Sequence, residues 1–325
     1  LFGNFSSLPF GHNFDPIAKY IDSLDLPISE RVPLCAFNQN LVNSFALQFS
    51  EFLPPKFSYL SFAENGGLAI EQVIKSYLFL CSKLDRRCKF YVFDGSYHGI
   101  IGLSSSLTKA ASTALDRLSF IDSSNIDVQV ITSLDSLGST FDDTAINILF
   151  VEPIRCTYGD VLITDAMKDC IRFFKSRSDC YLVYDEIQAG FYATLSVWSY
   201  KYLSLPDPDV IVFGKRLQIC GFASNTSLSI VFSDSTPKIL SSTFDGSLHD
   251  IAKSLFMLNY TPKYLKQKSM QLMANINSTV SLIARSLLAS DYSIHGCLAS
   301  LKFDSHQHMK EGSSCLTLNS ILHNP

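Results

Sequence analysis

The sequence lacks the features by which a chain binds nucleic acid or crosses a membrane. Its 325 residues carry 26 lysines and arginines against 30 acidic residues, a formal net charge of −4, and no basic run. Binding to a phosphate backbone depends on clustered positive charge, so we expect no nucleic-acid partner. The longest apolar runs, such as 77–81 and 146–151, are much shorter than the roughly 20 residues of a spanning helix, so we expect no membrane insertion.

The nine cysteines form no C-x-x-C pair, and their number is odd. This pattern predicts reduced, mostly buried thiols and therefore a cytoplasmic protein. The histidines, including His306 and His308, lack metal-ligand spacing, so we predict no metal site. The chain begins at Leu1 inside an apolar stretch, and we expect a fragment or a processed product. A mitochondrial location is therefore the alternative, because a targeting peptide would be lost with that start.

Apolar residues are abundant, at 47% of the chain, with 25 phenylalanines and 14 tyrosines, which requires a large buried core. Short β-branched or aromatic runs alternate with helical patterns in units of about 30 residues. This order predicts an α/β fold with a mostly parallel, doubly wound sheet. The predicted strands are 90–93, 128–131, 146–151, 181–184, 210–213 and 228–232, and the clearest predicted helices are 67–84 and 167–174.

Three charged residues directly follow predicted core strands: Glu152, Asp185 and Lys215. In open parallel sheets, ligands bind beyond the carboxyl ends of the strands. Each residue taken alone fits an ordinary cap, turn or surface role. A lysine that leaves a run as apolar as V-I-V-F-G is desolvated, which lowers its pKa and makes its amine nucleophilic, as a Schiff-base lysine requires. A carboxylate one strand away suits the protonated ring nitrogen of pyridoxal phosphate.

Two glycines, Gly66 and Gly67, stand where a helix is predicted to begin, and backbone amides at a helix N-terminus bind phosphate. Plain turn glycines are the alternative. Neither a Walker A sequence nor G-x-G-x-x-G occurs, so no motif supports the binding of ATP or NAD. Tyr97, in F-D-G-S-Y-H-G after another strand, is placed to stack on a flat cofactor ring, although simple packing explains it equally well.

These motifs, in the order G-G, S-Y-H-G, V-E-P-I, D-E-I-Q-A-G-F, P-D-V-I-V-F-G-K and S-S-T-F, resemble the class III pyridoxal-phosphate-dependent aminotransferases. The resemblance runs from about residue 2 to 303, and the stretch 149–221 is the most specific. The segment 213–221 is most similar to L-lysine 6-aminotransferases, and 4-aminobutyrate aminotransferases come second. The resemblance implies the fold type I architecture of pyridoxal-phosphate-dependent transferases and a homodimer.

The resemblance also implies a role for each residue of the D-E-I-Q and lysine motifs. Lys215 would bind the cofactor covalently and move the proton between substrate carbon and cofactor. Asp185 would pair with the ring nitrogen, and Gln188 would hydrogen-bond the ring hydroxyl. Tyr97 would stack on the ring.

Further roles follow from the same resemblance. Gly66 and Gly67 would hold the phosphate through their amides, and Thr243 would reach the phosphate of the neighbouring subunit. Trp198 and Tyr200 fall in the aromatic segment after D-E-I-Q, where packing is the expected role.

The predicted domains follow the same pattern: a partial N-terminal segment at 1–28, a large pyridoxal-phosphate-binding α/β domain at 29–245, and a partial small C-terminal domain at 246–325. After about residue 244 the strand signals thin out. A helical stretch, 248–288, leads to one strand-like piece at 298–303.

Three departures from the family pattern concern substrate binding. Thr157 replaces a glutamate that neutralises a substrate-binding arginine, and Ile100 replaces an arginine that binds substrate carboxylate in lysine 6-aminotransferases. A C-terminal carboxylate-binding arginine of the family lies beyond the end of this sequence. A lost buried carboxylate clamp costs on the order of 2–5 kcal/mol of binding.

Three hypotheses on function remain open. The first is an aminotransferase of lysine catabolism that passes the 6-amino group of L-lysine to 2-oxoglutarate, giving glutamate and a semialdehyde. The second keeps the mechanism with 4-aminobutyrate, ornithine or another ω-amino donor. The third is a degenerate or truncated paralogue that keeps the fold without turnover. The three departures just described favour the third hypothesis, whereas retention of Lys215, Asp185 and Gln188 together argues against it.

Overall fold

The computed structural model describes residues 6–24, 26, 39–109 and 126–304. Within these residues, seven strands form one sheet in the order β1-β9-β8-β7-β4-β2-β3, and two hairpins lie outside it. The strands are β1 (Tyr59–Ala63), β2 (Cys88–Phe93), β3 (Asp127–Ile131), β4 (Ile146–Val151), β5 (Ile154–Arg155), β6 (Val161–Leu162), β7 (Cys180–Asp185), β8 (Val210–Phe213), β9 (Cys220–Ser224), β10 (Asp291–His295) and β11 (Leu298–Lys302).

Helices cover both faces of this sheet. They are α1 (Asp15–Asp22), α2 (Gln39–Ser50), α3 (Gly66–Lys83), α4 (Ser104–Leu107), α5 (Leu134–Gly138), α6 (Asp165–Lys175), α7 (Ser199–Tyr202) and α8 (Leu248–Ser286). Helix α3 packs on one face, and α2, α6 and the first turns of α8 pack on the other. This arrangement confirms the predicted doubly wound α/β fold.

Alternate residues of the central strands face opposite cores because successive side chains in a strand point to opposite faces. On β7, Val183 packs with α3, whereas Leu182 and Tyr184 pack with α6 and α8. All six residues of β4 are buried, which is typical of a strand covered on both sides. Strands β3, β2, β4, β7 and β8 run parallel to one another, and β9 pairs antiparallel with both β8 and β1.

Five of the six predicted strands are confirmed as β2, β3, β4, β7 and β8. The sixth prediction, 228–232, is wrong. Residues Thr226–Phe232 form a 3₁₀ helix that Asn225 caps by accepting a hydrogen bond from the backbone amide of Ser227. The segment kinks at Leu228, whose φ is −106° and ψ is 16°, and Leu228 and Val231 are its buried residues.

The helix predictions hold with small shifts at their ends. Helix α6 begins after Thr164, whose hydroxyl accepts a hydrogen bond from the amide of Met167 at 3.3 Å, as an N-cap does. Met167, Cys170, Ile171 and Phe174 form its buried face. The predicted long helix is α8, and the predicted strand-like piece is β11, which pairs with β10 in an antiparallel hairpin.

Helix α8 divides into two parts by burial. Ile251, Leu255 and Met257 belong to the main core, and the buried run ends near Thr261, just before Pro262. Met270 and Leu282, beyond the proline, are largely exposed. No helix in the described part of the chain has both the length and the apolarity needed to cross a membrane.

Phe174 is the best single probe of this core, because it is fully buried and its ring meets Tyr91 at 5.4 Å between centroids. Phe174→Ala removes a large apolar side chain and leaves a cavity, so we expect the free energy of unfolding to fall by about 3 to 5 kcal/mol. Denaturant unfolding followed by circular dichroism measures the change.

Leu47→Ala is the control, because Leu47 is 72% exposed on α2. We expect it to change the free energy of unfolding by less than about 0.5 kcal/mol. Equal effects of the two substitutions would contradict the assignment of Phe174 to the core.

Candidate active site

A cavity of about 750 Å³ opens at the carboxyl ends of β4, β7 and β8. These three strands are neighbours in the sheet, so the residues that follow them meet at one edge. The cavity is lined by six of the seven residues that the sequence predicts for the site: Gly66, Gly67, Tyr97, Asp185, Gln188 and Lys215.

Lys215 enters the cavity from a short 3₁₀ helix that follows β8 and Gly214. Its Nζ atom donates a hydrogen bond to Oε1 of Gln188, which reaches it from the turn after β7. Burial lowers the pKa of Lys215, and the carboxylates of Asp185 and Glu152 act in the opposite direction. The desolvation predicted from the apolar strand is therefore present.

Asp185 ends β7 and is 6% exposed. Its Oδ2 atom lies 2.9 Å from Nδ1 of His98, and its Oδ1 accepts the amide of Ile187 at 3.1 Å. Because an ionised carboxylate only accepts hydrogen bonds, Nδ1 of His98 carries the proton in this contact. The imidazole therefore orients the Asp185 carboxylate inside the cavity.

His98 is a residue that the sequence reasoning passed over. It stands next to Tyr97 in the S-Y-H-G segment and is 1% exposed. Its backbone amide donates to Oγ1 of Thr108 at 2.8 Å, while its Nε2 atom is buried without a hydrogen-bond partner. Its position beside a predicted stacking residue was the available signal, but the pairing with Asp185 joins residues 87 positions apart.

Glu152, which directly follows β4, is also part of the cavity lining. It is 7% exposed, lines the cavity, and its Oε2 atom accepts the amide of Tyr97 at 2.6 Å. Burial raises the pKa of Glu152, and the negative charge of Asp185 raises it further. The cavity thus holds two buried carboxyl groups and one lysine.

The two glycines begin α3, and Asn65 caps the helix by accepting the amide of Leu68 at 3.0 Å. A Cβ atom on Gly66 would lie 2.9 Å from Cδ1 of Ile187, and one on Gly67 would lie 3.1 Å from Cδ1 of Ile101. The side chains of other residues therefore occupy the space beside both glycines. Their amides lie in the first turn of an 18-residue helix, where an anion is stabilised.

These residues fit a cofactor that carries a phosphate and a cationic ring nitrogen. The N-terminus of α3 provides amides for the phosphate. Asp185 provides a buried carboxylate. A buried carboxylate is stabilised by an opposite charge, which a cationic ring nitrogen would supply. Lys215 provides an amine of lowered pKa. The described residues contain no group of three or more His, Cys, Asp or Glu side chains arranged to hold a metal ion.

Two of the three departures from the family pattern fall within the described residues, and both residues line the cavity. Thr157 is half-buried, and Ile100 is 51% exposed at the cavity wall. Of the described residues that line the cavity, Lys215 alone is a lysine or arginine. Lys215 is therefore the one lysine or arginine side chain available to pair with an anion among these residues.

A wall of the cavity comes from a segment that no sequence motif indicated. Ser7 and Leu8 line it, and the backbone carbonyl of Ser7 accepts a hydrogen bond from Nε2 of Gln218 at 2.6 Å. Gln218 itself lies three residues after Lys215 and also lines the cavity. Contacts across 211 positions of sequence leave no local pattern, so sequence reasoning missed them.

The remaining predicted residues lie outside the cavity lining. Trp198 and Tyr200 are buried, and their contacts are structural: Nε1 of Trp198 donates to the carbonyl of Phe52 at 2.6 Å, and Tyr200 stacks on Tyr184. Packing is thus their role, as expected. Thr243 is exposed in the turn before α8 and does not line this cavity. Its contact with a second subunit stays a prediction.

Comparison with known proteins connects this geometry to a family. The sequence profile of the family Aminotransferase class-III matches residues 1–310. L-lysine-epsilon aminotransferase of Amycolatopsis lactamdurans is 26% identical over 296 residues, which cover 79% of this chain and 64% of that protein. The enzyme of the same name from Mycobacterium tuberculosis is 26% identical over 226 residues, covering 62% of this chain and 50% of that protein.

A solved structure of lysine aminotransferase from M. tuberculosis matches with a TM-score of 0.73 and 19% identity. The match covers 93% of this chain and 79% of that chain, and it supports the shared fold. The alignments with the curated relatives span only about half to two thirds of those proteins' length.

We expect the hydrogen bond between His98 and Asp185 to contribute to the free energy of unfolding. His98→Leu removes the donor and leaves a buried carboxylate oxygen unsatisfied, so we expect the free energy of unfolding to fall by about 1 to 3 kcal/mol. His98→Asn keeps an amide donor near the position of Nδ1 and should restore part of the loss. Chemical denaturation of the cofactor-free protein measures both; equal stability of the two variants would contradict the hydrogen bond's contribution.

Proposed function

The chain belongs to the class-III aminotransferase family, and we propose that it uses pyridoxal phosphate to transfer the 6-amino group of L-lysine to 2-oxoglutarate, forming glutamate and a semialdehyde. The observation that carries the proposal is the convergence of Lys215, Asp185 and the N-terminus of α3 on one cavity. The choice of lysine is supported by the two curated relatives described above, which are named L-lysine-epsilon aminotransferases. A 4-aminobutyrate aminotransferase is also among the curated relatives, so that donor is the alternative.

Each part of the cofactor has a binding group in this cavity. The amides of Gly66 and Gly67 would hold the phosphate at the N-terminus of α3. Asp185 would keep the ring nitrogen protonated, and Gln188 would hydrogen-bond the ring hydroxyl. Tyr97, which lines the cavity, would stack on the ring. Pyridoxal phosphate, when bound, supplies an electron sink that stabilises the negative charge left when a substrate C–H bond breaks.

Lys215 performs the proton chemistry in this proposal. Burial lowers its pKa, so a larger fraction of its Nζ atoms is neutral near pH 7 than for a lysine in water. The neutral amine can take a proton from the donor carbon and return it elsewhere. Gln188 accepts a hydrogen bond from Nζ and so holds the amine in the cavity.

His98 positions Asp185 and is not itself proposed to touch the substrate. Its ring contacts Asp185 from within the protein and leaves the carboxylate fixed by two donors, the imidazole and the amide of Ile187. A fixed carboxylate needs no reorientation when charge develops nearby, which is the benefit of a preorganised site.

A dimer is part of the proposal. Thr243 lies outside the cavity of its own chain and is exposed, as is required of a residue that serves a second subunit. Following the family resemblance, we assign Thr243 to the phosphate site of a neighbouring copy.

The first test is the visible spectrum of the protein loaded with pyridoxal phosphate. We expect an absorption band that Lys215→Ala abolishes, because the covalent link requires that amine, and that L-lysine discharges. The same measurement with L-ornithine and 4-aminobutyrate identifies the preferred donor.

The outcomes separate the hypotheses. A band that another ω-amino donor discharges faster than lysine would reject the lysine assignment but keep the transaminase. If the band forms and no donor discharges it, the chain binds the cofactor without turnover. A protein without any Lys215-dependent band would contradict the proposed function as a whole.

Ile100 offers a test of substrate recognition. Ile100→Arg places a guanidinium at the exposed cavity wall, where it can pair with the substrate carboxylate. A charged contact that stabilises the bound substrate and transition state by about 1.4 kcal/mol raises kcat/KM about tenfold. We expect an increase of that size for L-lysine. Steady-state kinetics with L-lysine and with cadaverine, which is lysine without its carboxylate, measure the effect.

Only the lysine value should rise, because cadaverine has no carboxylate to bind. Ile100→Gln is the matched variant of similar length without charge, and it should resemble the parent protein. If the arginine and glutamine variants behave alike with both donors, the carboxylate does not lie near residue 100.

A further inference from the structure

Residues 6–11, which we call the strap, lie against the cavity that holds Lys215. Ser7 and Leu8 of the strap line that cavity. The strap bends at Gly11, whose φ is 79° and whose amide donates to the carbonyl of Leu8 at 3.1 Å. The strap lies before the first helix of the described chain and belongs to none of its strands. Its position therefore depends on the contacts that it makes with other elements.

Two side chains from the turn that carries Lys215 hold the strap. Nε2 of Gln218 donates to the carbonyl of Ser7 at 2.6 Å, and Nη1 of Arg216 donates to Oγ of Ser6 at 3.4 Å. The contact made by Gln218 is the shorter of the two. The cavity wall is thus fastened to the same short 3₁₀ helix from which the lysine enters the cavity.

The neighbours of Gln218 fix the orientation of its side-chain amide. Nε2 donates to the carbonyl of Lys215 at 3.2 Å as well as to that of Ser7, so two carbonyl oxygens face the same end of the side chain. A carbonyl oxygen only accepts hydrogen bonds, and a glutamine side chain has one donor end. The NH₂ group therefore faces both carbonyls and joins the lysine turn to the strap.

The lysine turn needs such contacts because two of its residues have unusual backbone conformations. The φ angle is 41° at Lys215 and 65° at Gln218. Positive φ is uncommon outside glycine and persists only where the surrounding structure holds it. From the other side, the hydroxyl of Ser254 in α8 donates to the carbonyl of Leu217 within the turn. The turn is therefore held between α8 and the strap.

The other end of the strap is anchored to α8 by aromatic packing. The ring of Phe10 meets those of Tyr260 and Tyr264 edge-on, with centroids 5.2 Å and 5.3 Å away, and it stacks on Phe14 at 4.8 Å. Phe10 itself lies outside the cavity lining. We therefore expect a change at Phe10 to reach the cavity through the strap.

We propose that Gln218 is a positioning residue for donor binding: its side chain fastens the strap to the lysine turn and so holds Leu8 in the cavity wall. The inference rests on the proposed function, because the amino donor must bind in this cavity. The aliphatic part of an ω-amino donor is apolar, and Leu8 offers it an apolar contact. Gln218 acts through the strap and does not have to touch the donor.

Hydrogen exchange of the full chain without cofactor tests the anchor. Gln218→Met keeps the length of the side chain and removes its donor. We expect the strap amides, including that of Gly11, to exchange about five- to tenfold faster in this variant, which is the size of effect of one lost hydrogen bond. Unchanged strap exchange in Gln218→Met would overturn the proposal.

Gln129→Met is the matched control. Gln129 lies on β3, the last strand in the sheet order, and its Nε2 atom donates to Oδ1 of Asp127 at 2.6 Å. The same substitution thus removes a side-chain hydrogen bond far from the strap in the sheet. Strap exchange in Gln129→Met should equal that of the parent chain.

Steady-state kinetics of the loaded protein test the consequence for donor binding. In Gln218→Met we expect KM for L-lysine to rise about tenfold, the effect of one lost apolar contact in a pocket. We expect kcat to change less than about threefold, because the wall binds the ground state and the transition state alike. Leu8→Ala should give the same pattern. If KM stays unchanged in Gln218→Met, the positioning role is wrong.

A double-mutant cycle with Phe10→Ala distinguishes the strap from a general effect on the fold. Gln218→Met and Phe10→Ala loosen the same strap from two anchors. The rise in KM of the double variant should therefore be smaller than the product of the two single rises. A rise equal to that product would mean that Gln218 acts independently of the strap, and it would overturn the proposal.

Gln218→Gly is the second variant in case Gln218→Met does not fold. Glycine adopts a φ of 65° readily, so the substitution removes the donor without a backbone cost in the turn. Faster strap exchange and a raised KM are expected for it as well.

The two kinds of measurement separate failure of this inference from failure of the proposed function. A parent chain without a Lys215-dependent band contradicts the proposed function and, with it, the donor role of Gln218. Faster strap exchange in Gln218→Met would then still support the anchor. If the parent chain turns over L-lysine and Gln218→Met keeps its KM, only the positioning role is wrong.

Discussion

The buried charges beside Lys215 are the constraint on which the rest of the structure depends. An amine and two carboxyl groups, Asp185 and Glu152, leave water at one edge of the sheet, and burial of such groups is unfavourable unless each finds partners. The chain supplies those partners. Gln188 accepts from the lysine, His98 and the amide of Ile187 donate to Asp185, and the amide of Tyr97 donates to Glu152.

The parallel sheet makes this concentration of charge possible. β4, β7 and β8 are neighbours and end at the same edge, so residues 33 and 30 positions apart in sequence become adjacent in space. Both faces of these strands are covered by apolar cores, which exclude water from below the site. The end of β2 completes the edge with Tyr97 and His98, and the first turn of α3 adds backbone amides.

The cavity therefore has two parts of different character. One part, formed by the strand ends and the start of α3, brings together six of the seven residues that the family resemblance assigns to cofactor binding, and Thr243 lies outside it. Ile100, Thr157 and Leu8 line another part of the cavity. Among the described lining residues, Lys215 is the one lysine or arginine. Because the groups proposed for the cofactor and the residues proposed for substrate binding lie in different parts of the cavity, the cofactor and the amino donor are separate questions for this protein.

The sequence by itself determined the fold class and five strands of the main sheet, because the alternation of strand and helix patterns is local. Strand-end and helix-start positions indicated Asp185, Lys215, Gly66 and Gly67 in the cavity lining, whereas Gln188 came from the family resemblance alone. Only the tertiary structure decided the hydrogen bond from His98 to Asp185, the wall at Ser7 and the pairing of β9. These contacts join residues far apart in the chain. They depend on how the packed sheet brings segments together, and no local spacing encodes that.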